Sequence, residues 1–238
     1  MRYFLECDGI QGGVEMSDVG AHDLTVNNSF SVAVLAYVGS LNNNILPRFW
    51  EKGAHFMCFM GDATNGKYRK IAIETQNSTG VGNDNGGASE FWGSTNLEVG
   101  KTYHIVGTFN GDLVGSEPSV YQGKIWINGV PESMDNIYPW PEAPNDQLAS
   151  TSNSMYLMKR RTDSARCLQG RETNIYVWNR ALDPDTEAPY VYKGQIPATG
   201  LVSNFDFKGA SGNTATDRTG NSNGTITSLT YRRMWKVV

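Results

Sequence analysis

Lys124-Ile125-Trp126-Ile127-Asn128-Gly129 reads as a strand that runs directly into a turn. Alternation places Ile125 and Ile127 on the core face, and Asn-Gly supplies two residues that tolerate the positive φ of a two-residue hairpin. Upstream, Tyr103-His104-Ile105-Val106-Gly107-Thr108-Phe109 ends the same way, in Asn110-Gly111. Further Asn-Gly pairs stand at 65–66, 85–86 and 223–224. Between such signals lie runs rich in β-branched and aromatic residues: Tyr3 to Cys7, Phe30 to Val38, His55 to Met60, Tyr68 to Thr75, Val120 to Ile127 and Thr173 to Trp178. An antiparallel meander follows. Phe30, Val32, Val34, Ala36 and Val38 form one face of their strand, and Ala33, Leu35 and Tyr37 the other, so that strand is covered on both sides.

One segment reads as helix. Asp183-Pro184-Asp185-Thr186-Glu187 offers an N-cap, a proline at the first helical position and acids in the first turn, with Pro189 keeping the helix of about 183–193 short. Helix should therefore occupy less than about a tenth of the chain. Gly80 to Asn96 and Pro131 to Ser154 read as long irregular stretches, a length at which loops tend to carry function.

The chain has 238 residues, 39% of them apolar and only 18% charged, with 26 glycines, the balance of short strands joined by many turns. That length suits one β-sandwich over 1–238, with 200–238 part of it or appended to it. A net charge of −4 with scattered basic residues leaves no nucleic-acid footprint. Phe30 to Val38, the longest apolar stretch, is far too short to cross a membrane, and Met1-Arg2-Tyr3-Phe4-Leu5-Glu6 has no leader-like apolar region. Cys7, Cys58 and Cys167 are odd in number and lack CxxC spacing, so they are expected as free, buried thiols.

Several stretches resemble laminin-G-like and concanavalin A-like jelly rolls. Leu5-Glu6-Cys7-Asp8-Gly9-Ile10 through Gly13-Val14-Glu15-Met16 resembles their opening strands, and Phe30-Ser31-Val32-Ala33-Val34 the next one. Tyr103 to Gly111 and Lys124 to Gly129 are similar to their strands ending in Asn-Gly or Asp-Gly. Asn174-Ile175-Tyr176-Val177-Trp178-Asn179-Arg180-Ala181-Leu182 resembles the last long strand and its exit into a short helix. Gly200-Leu201-Val202 to Phe205-Asp206-Phe207, followed by a Gly/Asn-rich loop, resembles a strand at one end of such domains. The resemblance implies an all-β, two-sheet antiparallel sandwich. It hosts lectins, glycosidases, adhesion modules and virion proteins alike.

The residues favour binding over catalysis. No strand carries the Glu-x-Asp-x-x-Glu spacing of the laminarinase-type relatives, and Asp183, Asp185 and Glu187 are better explained by helix capping. Gly61 to Lys67 nearly matches a phosphate-binding loop but lies between two strands around Asn65-Gly66, which reads as a hairpin. His22, His55 and His104 are far apart with no GxSxG elbow, and His104 reads as a sheet-face residue. Aromatic residues beside loop amides suit sugar stacking, which singles out Asp84, Asn85 and Trp92 in one loop and Tyr138, Trp140 and Asn145 in another. Trp50, Trp126 and Trp178 lie in strands and are expected in the core.

Jelly rolls of this kind often hold calcium near the rim. Asp8, Asp112, Asp206 and Asp217, each in turn-like sequence within three residues of a glycine, are the candidate ligands, although turn-forming Asp needs no metal. No cofactor is required otherwise. Glycans or neighbouring protein subunits are the expected partners, with a homo-oligomer compatible with either. Such modules work outside cells, yet this sequence shows no secretory leader. A bacteriophage virion protein, a head decoration or tail-associated component folded in the host cytoplasm, reconciles the two, with a secreted or cell-surface adhesion domain as the alternative.

Overall fold

The hairpin at Asn128-Gly129 forms as the sequence predicts: in the computed structural model φ is 53° at Asn128 and 78° at Gly129, and Val130 pairs with Ile127. The structure describes residues 2–8, 12–17, 29–40, 46–53, 56–61, 67–76, 88–111, 123–138, 153–161, 166–208, 212–227 and 230–234. In chain order the strands are β1 (Arg2–Asp8), β2 (Gly13–Met16), β3 (Ser29–Val38), β4 (Arg48–Lys52), β5 (Phe56–Met60) and β6 (Ile71–Gln76). They continue as β7 (Ala88–Trp92), β8 (Thr102–Asn110), β9 (Gly123–Ile127), β10 (Val130–Pro131), β11 (Asp135–Tyr138) and β12 (Met155–Leu157). After β13 (Gln169–Trp178) comes the one helix among the described residues, α1 (Ala188–Val191), and then β14 (Leu201–Phe205), β15 (Thr214–Ala215), β16 (Gly224–Thr227) and β17 (Thr230–Met234).

These strands form two antiparallel sheets. Sheet A runs β10-β9-β8-β3-β13-β1-β17, with β14 also pairing β13; sheet B runs β11-β7-β6-β5-β4-β12-β2-β16-β15. Pro131 sits on the sheet A edge, where its missing N–H interrupts no ladder. The inner faces pack into one apolar cluster. Phe30, Val32, Val34, Ala36 and Val38 all enter it, as do Ile125 and Ile127. Phe30 lies edge-on to Trp50 at 5.6 Å and to Phe56 at 5.1 Å. Close approach of the sheets depends on glycine. A Cβ at Gly107 would lie 2.7 Å from Ile73 Cδ1, and one at Gly123 would enter the Phe91 ring.

The outer face of sheet A is also covered. Ala33, Val106, Trp126 and Trp178 pack with Leu182, Ala188 and Val191 from the connection between β13 and β14. Residues 179–200 thus form a strap, and polar contacts clasp it. Ser31 Oγ donates to Arg180 O at 2.9 Å and accepts from Leu182 N at 2.9 Å. Trp178 Nε1 donates to Pro197 O at 2.8 Å, and Arg180 makes a two-pronged contact to Glu187 at 2.6 and 2.7 Å.

Two expectations change. Regular helix begins at Ala188, not near Asp183, whose Oδ1 instead accepts from Asp185 N, Thr186 N and Thr186 Oγ1 to cap a turn. Pro189 then falls in the first positions of α1, the only place in a helix where its missing N–H costs nothing. The stretches read as irregular contain β7 and β11, too short and too mixed in composition to show their alternation in sequence. All three cysteines are free and buried.

Candidate functional site

Facing away from the core, sheet B carries a row of residues, one per strand, that is polar except for Met57 on β5. Cross-strand pairing runs from Glu15 on β2 to Tyr156 on β12, Glu51 on β4, Met57 on β5, Glu74 on β6 and Glu90 on β7. The register continues to the backbone position of Tyr138 on β11. Directly opposed residues share a face, and the neighbouring row of Val14, Leu157, Trp50, Cys58, Ile73 and Phe91 is the core row. The acids therefore point outward by strict alternation. Next to them on the same face are Arg48, Phe59, Ala72 and Trp92.

Arg48 reaches this face because the β4–β5 register shifts between Arg48 and Trp50, turning Arg48 outward while Trp50 stays in the core. Its Nε lies 3.1 Å from Glu51 Oε2, with both side chains almost fully buried at 3% and 2% exposure. The guanidinium sits 4.5 Å above the Phe59 ring and donates to Leu46 O at 3.3 Å. Glu51 Oε1 accepts from the Arg161 backbone N–H at 3.3 Å. At one end of the row, Tyr156 OH donates to Glu15 Oε1 at 3.1 Å, and Lys159 Nζ lies 5.2 Å over the Tyr156 ring. At the other end, Trp92 Nε1 donates to Glu90 Oε2 at 2.9 Å.

Burial and a neighbouring anion set the protonation states. Loss of water, and then the Glu90 charge, push the half-buried Glu74 carboxyl up to about 7, against the pull of Arg48. Burial lowers Arg48, while Glu51 opposes the shift. Three acids of the row are thus each held by a donor: Glu15 by the Tyr156 phenol, Glu51 by the Arg48 guanidinium and Glu90 by the Trp92 indole.

The sequence-nominated residues are placed differently. Trp92 is not in a loop: it lies in β7, 1% exposed and edge-on to Phe59 at 5.3 Å, so its ring offers no open stacking face. Tyr138 and Asp8 are placed by their backbones at the ends of β11 and β1. Asp84, Asn85, Trp140, Asn145 and Asp112 lie outside the described residues, as do His22, His55 and residues 62–66. Asp217 is buried and already staples its loop. Its oxygens accept from Asn204 N, Thr219 N, Thr219 Oγ1 and Ser222 N. Asp206 accepts from Lys208 N and pairs with Arg218 at 3.1 Å. These donors engage both oxygens of Asp217 and Oδ1 of Asp206. Among the described residues no group of three or more His, Cys, Asp or Glu side chains is assembled for a metal ion. Trp50, Trp126 and Trp178 are buried as expected.

What the sequence reading missed was the ladder itself. Its signal was present: a Glu on the phase opposite the core in Phe49-Trp50-Glu51, Ile73-Glu74-Thr75 and Glu90-Phe91. Each acid is isolated in sequence, and only strand order brings them together.

No protein-family model matches the chain, and no curated protein matches it. Solved structures do. A "putative carbohydrate binding protein" from Bacteroides ovatus superposes with a TM-score of 0.63 at 16% identity, covering 99% of this chain and 61% of that one. This chain therefore spans about three fifths of that protein's length. A heptameric SAP-like pentraxin from Limulus polyphemus superposes with a TM-score of 0.49 at 12% identity, covering 95% of this chain and 96% of that one. At 16% identity the likeness to the Bacteroides ovatus protein is one of fold.

Proposed function

We propose that the chain is a non-enzymatic carbohydrate-binding module that recognises glycans through the outer face of sheet B. The observation that carries this reading is the ladder of Glu15, Tyr156, Glu51, Glu74 and Glu90 with Arg48 beside it, crossing strands from β2 to β7. Polar groups withdrawn from water away from the core cost stability, and a buried ion pair is weak as a stabilising device. Groups with displaced protonation equilibria concentrate at functional sites. The fold shared with the Bacteroides ovatus protein supports the same reading. The test is a glycan array with the wild-type chain and with Glu15→Gln, Glu74→Gln and Glu90→Gln, all at half-buried positions. Reproducible hits weakened by these changes are expected. A blank array from folded protein overturns the reading.

One observation favours a second reading, glycoside hydrolysis. Glu74 and Glu90 are direct cross-strand partners, Glu74 is pushed up to about 7, and Glu90 is held by the Trp92 indole. Side chains so paired have Cβ atoms roughly 5 Å apart, close enough for both carboxyls to reach one ligand. Glu74 would give its proton to the glycosidic oxygen while the Glu90 carboxylate attacked the anomeric carbon. Release of reducing ends that disappears in both Glu74→Gln and Glu90→Gln would establish this reading, and no release from purified protein would remove it.

The proposal extends to location. Free thiols and a mildly acidic, Gly/Asn-rich composition support a virion component, on the evidence of sequence. Stoichiometric copies in purified particles are expected, and consistent absence from them removes this placement.

A further inference from the structure

A cleft of about 360 Å³ opens on the other side of the sandwich, at the edge of sheet A where the strap meets the β9–β10 hairpin. Its size falls in the range of roughly 300–1,000 Å³ typical of small-molecule sites. Trp126, Pro131, Met134 and Pro184 supply apolar walls, while Lys124, Glu132 and Asp185 are the charged members of the lining.

The three charges differ in availability. Glu132 is committed: its oxygens accept from Thr95 N at 2.6 Å, Thr95 Oγ1 at 2.8 Å and Ser94 Oγ at 3.3 Å. Lys124 is half-buried on β9, and its ammonium has no hydrogen-bond or ion-pair partner among the described residues. Asp185 is exposed on the turn capped by Asp183; its backbone N–H is used, but its carboxylate has no described partner. An uncommitted cationic donor and an uncommitted anionic acceptor thus line the same apolar cleft. They come from different parts of the chain, one from sheet A and one from the strap.

We infer that this cleft is a second glycan site, separate from the sheet B ladder, that holds one neutral pyranose ring. The inference rests on the carbohydrate-binding reading above. Lys124 donates to one ring hydroxyl and Asp185 accepts from another, while the C–H face of the ring lies against Pro131, Met134 and Pro184. An acidic sugar fits less well, because Asp185 and Glu132 leave the lining with one more negative than positive charge. A purely apolar ligand would leave Lys124 and Asp185 desolvated and unsatisfied.

The test uses the full chain and a panel of methyl pyranosides, with methyl glucuronide and N-acetylneuraminic acid as charged comparators, read by titration calorimetry. Lys124→Met and Asp185→Asn remove one polar partner each without touching the core, and Lys101→Ala serves as the control on an exposed position that belongs to neither site. Binding of a neutral pyranoside is expected, weakened about tenfold or more by either cleft change, as for loss of a charge-assisted hydrogen bond, and unchanged in the control. Preference for the charged sugars overturns the neutral-ring assignment. Glycan binding that ignores both cleft variants but falls with Glu74→Gln overturns the second site and leaves the proposed function standing. Absence of any glycan binding, with the thermal transition intact, removes both.

Discussion

The two outer faces of the sandwich are covered by different chemistry. On sheet A, Trp126 and Trp178 are buried beneath a strap that brings its own Leu182 and Val191, and the clasping contacts run along its margin. On sheet B, the outward residues of the central strands are Arg48, Glu51, Glu74 and Glu90, with Met57, Phe59, Ala72 and Trp92 among them. Apolar cover is non-directional and stabilises in proportion to area. A charged ladder instead fixes which donor faces which acceptor, and it contributes less to stability for the same burial. On the proposed function, this contrast would place the main stabilising cover on sheet A and the glycan-contacting ladder on sheet B.

Removing one partner from each face should break this contrast most visibly. Arg48→Ala leaves the 2%-exposed Glu51 without its counter-charge and is expected to cost about 3–5 kcal/mol in denaturant unfolding. Replacing both partners together, as Arg48→Met with Glu51→Leu, should recover most of that loss while abolishing glycan binding. If the double change is as destabilising as the single one, the ladder is structural after all. On sheet A, Leu182→Ala is expected to cost about 2–5 kcal/mol by opening a cavity beneath the strap, with glycan capture by sheet B unchanged.

A smaller loss, about 1–3 kcal/mol, is expected for Ser31→Ala, which leaves the buried Leu182 N–H without its acceptor. Amide exchange confined to residues 179–200 would show that the strap opens as a unit. The Arg180–Glu187 pair, a quarter exposed on each side, should matter least: Glu187→Gln is expected to change stability by under about 1 kcal/mol.

The faces also differ in the sign of their response to acid. Burial lowers His104, which lies on the outer side of sheet A against Tyr192, to about 4 from 6.5. The unfolded chain therefore binds its proton more readily, and this contribution to stability is present above 6.5 and lost as pH falls towards 4. Glu74 behaves oppositely. Raised from 4.5 to about 7, its contribution is present below 4.5 and lost as pH rises through about 7. Melting curves from pH 4 to 8 should show the acid-side loss reduced in His104→Gln and the acid-side gain reduced in Glu74→Gln. Identical profiles for the two variants would end this part of the comparison.

Sheet A and its core were largely legible in the sequence, because long strands such as Phe30 to Val38 and the Asn128-Gly129 hairpin state both alternation and turn type locally. The short strands β4, β7 and β12 carry only three to five residues each, too few to display a period. The ladder rests on those strands, so its residues were not gathered by reading along the chain. Trp92 shows the limit clearly. Its aromatic character suggested a sugar platform, but only strand pairing reveals that its ring is buried and that its indole N–H serves Glu90. Glu172 illustrates the same point inside the core: its alternation phase places it inward, where both oxygens lack a described partner and burial holds the carboxyl well above its usual range.

Asn-Gly pairs, of which Asn128-Gly129 forms a hairpin turn while Asn110 ends β8 and Gly224 opens β16, are also the sites where a polypeptide ages chemically. Loss of the Asn side-chain amide begins when the following backbone nitrogen attacks the side-chain carbonyl carbon, which demands a freely rotating amide beside an unhindered glycine. Here the described pairs restrain that rotation. Asn128 Oδ1 accepts from His104 N at 2.9 Å, Asn223 Oδ1 from Asp217 N at 3.0 Å, and Asn110 Oδ1 from Ser29 Oγ at 3.4 Å. These hydrogen bonds should thus slow deamidation, most at Asn128 and least at Asn110. Peptide mapping after prolonged incubation at mildly alkaline pH should recover that order in the folded protein and lose it once the chain is unfolded, making covalent shelf life a readout of turn geometry.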